Sequence, residues 1–158
     1  MKYLPLLIIG MLLSCNKEKI GKDVIDTAID LYVEDVNGSN LLSETTTGGI
    51  AFNAIKLFYG VNGEPVAVYN PNMDCPRSVC FLDDSGKEGV RVFPNDAKSD
   101  AYPVTYIQWN ESDTDTIQCH FIRKNGGSYL VCDTVWINGS LMTSDSAVGY
   151  CRSFRLIK

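Results

Sequence analysis

The residues here that could carry chemistry are few: one histidine, His120, six cysteines, and the acidic pairs Asp83/Asp84 and Asp113/Asp115. A Ser-His-Asp or Cys-His centre needs its imidazole within hydrogen-bond reach of the nucleophile. His120 instead stands inside a strand-like run with no such group in sight, and reads as an ordinary half-exposed side chain. Zinc is no better served, because four residues separate Cys75 from Cys80 and one histidine cannot complete the usual ligand sets. No metal site is expected. The acidic pairs could offer oxygens to Ca2+, which takes about six to eight of them, but Asp in turns needs no metal to explain it. They could also serve glycoside hydrolysis if two of them faced each other across a cleft. Trp109, Trp136, Tyr102 and Tyr106 could stack on sugars, although large aromatics at strand positions more often belong to a core. No catalytic residue and no cofactor is expected.

Cys15 carries the clearest chemistry. An apolar run of about ten residues after Lys2 ends in Leu12-Leu13-Ser14-Cys15, the form of a lipoprotein signal with its lipobox. The Cys15 thiol would take a diacylglycerol thioether, a peptidase would cut before it, and the new amine would be acylated. A membrane-spanning helix needs roughly twenty apolar residues, so the run is too short to span. The other five cysteines, Cys75, Cys80, Cys119, Cys132 and Cys151, are in an exported protein disulfide candidates first. Cys75 and Cys80 could close the short loop between them, or one of them could reach Cys151. Cys119 and Cys132 could form a bridge or pack as reduced, apolar core residues.

The elements that position these groups are strands. Between residues 116 and 137, two strand-like runs flank Lys124-Asn125-Gly126-Gly127. A two-residue primed turn at Asn125-Gly126 would set Cys119 opposite Cys132 and His120 opposite Val131. It would also put Ile117, Cys119 and Phe121 with Leu130, Cys132 and Thr134 on a core face. Residues 28–36 alternate, with Ile29, Leu31 and Val33 on one side and Asp30, Tyr32 and Glu34 on the other. Three more Asn-Gly pairs, at Asn37, Asn62 and Asn138, mark turns. Short strands are expected near 50–59, 64–69, 79–82, 89–93, 103–109 and 151–157. No apolar repeat of helical period runs for ten residues. The fold class expected is all-β, an immunoglobulin-like β-sandwich of eight or nine short antiparallel strands, with a small β-barrel as the alternative. The chain divides into a signal peptide (1–14), lipidated Cys15 with a tether (15–27), and one β domain (28–158).

The formal charge is −5, becoming −6 once Lys2 leaves with the signal, and no block of Lys or Arg follows. A nucleic-acid partner calls for a basic footprint, so that class is set aside.

The lipobox, the segment Asp35-Val36-Asn37-Gly38-Ser39-Asn40-Leu41-Leu42 and the segment Trp109-Asn110-Glu111-Ser112-Asp113-Thr114-Asp115-Thr116-Ile117 together resemble a group of small, uncharacterised lipoproteins of Bacteroidota. The resemblance implies a β-sandwich on the cell envelope and brings no agreed activity. It also implies sorting by acidic residues after the lipidated cysteine. Asn16-Lys17-Glu18-Lys19 has one acid, which favours the periplasmic face of the outer membrane over the surface. Finally, it implies O-glycosylation at Asp-Ser/Thr followed by a small or apolar residue. Of the matching sites, Thr116 and Thr134 fall in expected strands, leaving Thr27 and Ser146 as the better candidates. The function expected is a non-enzymatic envelope lipoprotein, a binding module for a protein or glycan partner. A small hydrolase using paired carboxylates and a structural component of an envelope assembly are the alternatives.

Overall fold

A computed structural model describes residues 23–84, 86–145 and 152–158. Among the described residues eleven strands run in chain order: β1 (Val24–Asp26), β2 (Ile29–Glu34), β3 (Lys56–Val61), β4 (Glu64–Ala67), β5 (Val79–Asp84), β6 (Lys87–Val92), β7 (Val104–Asn110), β8 (Asp113–Lys124), β9 (Tyr129–Ile137), β10 (Ser140–Leu141) and β11 (Ser153–Ile157). They form two sheets that do not close into a barrel, and the fold is a β-sandwich. The larger sheet runs β1-β9-β8-β7-β3-β4, with β10 also on β9, and the smaller runs β11-β2-β6-β5. Nine of these strands match those expected from alternation. The other two, β1 and β10, are three and two residues long, too short for a period of two to show. Pairing is mostly antiparallel, but β1 joins β9 and β11 joins β2 in parallel.

Alternation drives the burial. Ile29, Leu31 and Val33 of β2, Val90 and Val92 of β6, Ile107 and Trp109 of β7, and Ile117, Cys119 and Phe121 of β8 all turn into one shared core. β7 and most of β8 thus bury every second residue between the sheets, as a sandwich requires. On the outer side of the smaller sheet, Arg91 grips Asp30 with two hydrogen bonds of 2.8 and 2.9 Å. Beside that pair the Tyr32 ring lies over Gly89, where a Cβ would sit 2.9 Å from Tyr32 Cε1 and 3.0 Å from Leu31 O.

The Asn-Gly pairs at Asn62 and Asn138 form two-residue hairpin turns, with Val61 facing Glu64 and Ile137 facing Ser140. All four residues have positive φ, as a primed turn requires. The central hairpin departs from the register expected of it. Its last pair is Lys124 with Tyr129, so the loop holds Asn125, Gly126, Gly127 and Ser128. Gly127 also takes a positive φ, of 110°, and this third left-handed residue lets the loop widen. Cys132 therefore faces Phe121, and Cys119 faces Val135. A bulge at Asp133 shifts the remaining pairs again, so His120 faces Thr134 rather than Val131. Beyond the bulge Val135 and Ile137 face the core, where Thr134 was expected.

Candidate functional site

The outer face of the larger sheet carries the side chains that alternate with the core: Val104 and Tyr106 from β7, Gln118 and His120 from β8, and Trp136 from β9, all half-buried. Tyr102 precedes β7 by two residues. Since Val104 faces Gln118, the same register carried back sets Tyr102 beside His120. An Asx turn, in which Tyr102 N–H donates to Asp100 Oδ1 at 2.9 Å, and the buried ring of Pro103 fix its approach. The Tyr102 and His120 rings lie 5.8 Å apart at 42°, and Tyr102 meets Trp136 edge to face at 5.5 Å and 83°. Tyr102 is 49 % exposed.

The bulge completes this cluster. An extra residue in one strand of an antiparallel pair re-aims side chains, and here it brings Asp133 to His120, whose Nδ1–H donates to Asp133 Oδ1 at 2.6 Å. His120 thus has the partner that its expected register denied it. The pair fixes the imidazole in one orientation and leaves Nε2 for a ligand. Three rings and a His-Asp pair on an open sheet face make a surface that can stack on flat apolar faces and exchange hydrogen bonds with hydroxyl groups.

Of the other aromatics considered for stacking, Tyr106 lies on the same face, and Trp109 belongs to the core at 0 % exposure. Trp109 Nε1–H donates to Asp115 Oδ2 at 2.7 Å, and Asn138 Nδ2 donates to Asp115 Oδ1 at 2.8 Å. Lys158 Nζ bridges Asp113 at 2.7 Å and Asp115 at 2.9 Å. Burial alone would raise the Asp115 carboxyl, but the hydrogen bonds from Asn138, Lys158 and Trp109, with the Lys158 charge, outweigh it and hold that group below the usual carboxylate range. An ammonium group therefore sits where a cation or an acid-base pair was considered. Asp83 and Asp84 lie at the β5-β6 hairpin, with Asp83 Oδ1 accepting from Gly86 N–H. Among the described residues, no three His, Cys, Asp or Glu side chains gather as a metal site would need.

Cys75 and Cys80 are joined, with Cα atoms 5.4 Å apart. Their short loop presents Arg77, whose NH1 donates to the carbonyls of Asn53 and Ile55, both at 2.8 Å, while the guanidinium stacks on Phe52 at 5.2 Å. Cys119 and Cys132 are buried free thiols. A hydrogen bond with Cys132, together with burial, holds the Cys119 thiol well above the usual range. Thr27 is half-buried between β1 and β2, beside Asp26, which pairs with Arg152. Cys15, Ser146 and Cys151 lie outside the described residues.

Sequence reasoning missed Asp133 as a partner and Tyr102 as a neighbour of His120. A signal for the first existed: the apolar alternation of β9 changes phase around Asp133, with Leu130 and Cys132 before it and Val135 and Ile137 after it. These features together define a two-sheet β-sandwich with an aromatic surface on its larger sheet. The chain matches no protein-family model, no curated protein and no solved structure.

Proposed function

We propose that this chain is a non-enzymatic binding module of the cell envelope, tethered by lipid on Cys15, that takes a glycan on the outer face of its larger sheet. The observation that carries this reading is the cluster of Tyr102, His120 and Trp136, with Asp133 locked onto the imidazole. Sugar rings offer C–H faces to aromatics and hydroxyl groups to polar side chains, and this surface has both kinds of partner. The hydrolase alternative draws less support, because Asp113 and Asp115 converge on Lys158 instead of facing across a cleft.

Tryptophan emission tests the proposal cleanly. The chain has two tryptophans. Trp109 is sealed and Trp136 is half-exposed, so a ligand on this face changes Trp136 emission alone. A panel of envelope-derived oligosaccharides is screened against the wild type by this emission, and binding to the wild type and to Trp136→Ala is then compared by isothermal titration calorimetry, which needs no tryptophan. Binding by at least one member, weakened about tenfold or more by the substitution, is the expected result. A panel in which no member binds, or in which Trp136→Ala binds as well as wild type, overturns it.

A further inference from the structure

A second feature, independent of the aromatic surface, lies on the smaller sheet. Among the described residues β5 pairs only with β6 and closes that sheet on one side. Phe93 N–H donates to Ser78 O at 2.9 Å, which marks Ser78 and Phe93 as a hydrogen-bonded pair. Antiparallel ladders alternate, so Cys80/Arg91 and Leu82/Gly89 are hydrogen-bonded pairs as well. Val79, Phe81 and Asp83 accordingly turn their N–H and C=O groups away from β6, along the open edge.

Side-chain direction adds the second half. Val79 and Phe81 share the inward face of β5, opposite Val92 and Val90, which are fully buried. Phe81 is nonetheless 42 % exposed. In front of it lies a groove of about 670 Å3, walled by Leu42, Ile50, Phe52 and Phe81, with Ser43 and Glu44 on its lining. Phe52 meets Phe81 edge to face at 5.6 Å, and the Arg77 clamp within the Cys75-Cys80 loop holds Phe52 there. An apolar socket therefore sits beside a row of edge groups aimed outward.

We propose that this edge docks an extended peptide segment of a partner protein, which adds as a fifth strand beside β5 and places one apolar side chain in the groove. Strand addition takes its affinity from main-chain hydrogen bonds and its specificity from pockets at alternate side chains, and both parts are present here. An acyl chain could fill the groove but would leave Phe81 N–H and C=O unpaired. Glu44 lies on the groove's lining and Asp83 follows Phe81 by two residues along β5, so the complementary segment carries Lys or Arg around its apolar residue. The edges at β4, β10 and β11 are less suited. β4 contains Pro65, which has no N–H to offer. β10 has two residues, and Asp145 N–H already occupies Ser153 O of β11 at 2.7 Å.

The test uses the full chain in lipid nanodiscs and capped pentapeptides Lys-Thr-Xaa-Thr-Lys, with Val, Ile, Leu, Phe or Tyr at the centre. Each has an analogue N-methylated at the amides that would pair with β5. At least one parent peptide binds with a Kd below about 1 mM, slows hydrogen exchange at the Phe81 amide, and loses about tenfold on N-methylation. Phe81→Ser weakens binding similarly. Asp83→Pro, which removes an outward N–H without breaking the β6 ladder, does the same if the first variant fails to fold, and Asp83→Ala, which loses the same carboxylate and its bond from Gly86 N–H but keeps the N–H, loses less. Trp136→Ala leaves peptide binding unchanged, which separates this site from the glycan surface. Equal binding of methylated and parent peptides, binding of laurate but of no peptide, or binding of neither overturns the proposal.

Discussion

Replacing Asp115 by Ala asks whether the buried acid pair is a structural pin. Its carboxylate accepts from Trp109 Nε1, Asn138 Nδ2 and Lys158 Nζ, and the residue is 7 % exposed. Removal strands the Trp109 N–H in a site with no water access, at about 1–3 kcal/mol. Asn138 is exposed and can turn to solvent, and Lys158 keeps Asp113, so neither adds the full penalty of an orphaned charge. The expected loss is therefore about 2–4 kcal/mol. Asp115→Asn retains an oxygen for Trp109 and gives up the charge opposite Lys158, for a loss of about 1 kcal/mol. The assay is urea unfolding followed by tryptophan emission, where Asp115→Ala lowers the midpoint by about 1–2 M at an unchanged slope. The pH dependence carries a definite sign. A carboxyl held below its unfolded value contributes stability that is fully present above about pH 4 and is lost as pH falls through the folded value. The gap between wild type and Asp115→Asn should accordingly close on acidification. An Asp115→Ala unfolding free energy within about 0.5 kcal/mol of wild type, or a gap that widens in acid, would refute the reasoning.

Gly89→Ala forces a Cβ against Tyr32 and the Leu31 carbonyl at 2.9 and 3.0 Å, and should lower stability by about 1–3 kcal/mol; an unchanged melting temperature would mean that β2 and β6 part at little cost. Replacing Cys75 and Cys80 together by Ser opens a short loop worth about 2 kcal/mol in the chain-entropy account, read as a fall in Tm of about 6 °C, and a Tm unmoved by the pair would show that Arg77 holds the loop without the bridge. Cys15→Ala should shift the protein from the membrane fraction to the soluble one on cell fractionation, and continued membrane association would count against the lipid anchor.

The sandwich was legible because its strands are half-buried, and a strand with one wet face writes its burial into alternate residues. Residues 28–36 alternate most plainly in residue type, with Ile29, Leu31 and Val33 in the core, although β2 is not wet on its other face, where Asp30 and Tyr32 are buried as well. β1 escaped because its three residues are exposed throughout and are held by pairing with β9, a long-range partner that no local pattern announces. β11 was itself expected near 151–157, but its parallel pairing with β2, which joins residues more than a hundred positions apart, was not. Arg77 could not be read as a clamp either, since its acceptors are main-chain carbonyls more than twenty residues away, and a carbonyl leaves no mark in side-chain types.

The central hairpin shows where the reading went astray and how the functional surface follows from the correction. Treating Asn125-Gly126 as a two-residue turn put Cys119 opposite Cys132 and left His120 facing an aliphatic residue. The observed four-residue loop moves the register by two near the turn, which preserves the faces, so Phe121 and Cys132 both still point inward. The bulge then moves it by one more, which exchanges them, so Val135 and Ile137 take the core positions. That single extra residue is Asp133. Had β9 alternated without interruption, Ile137 would face out, and a core position would fall to Trp136, one of the rings the surface depends on. The phase change in β9 is thus the one local feature from which both the burial of Ile137 and the His120-Asp133 pair follow, and deleting Asp133 should remove both together.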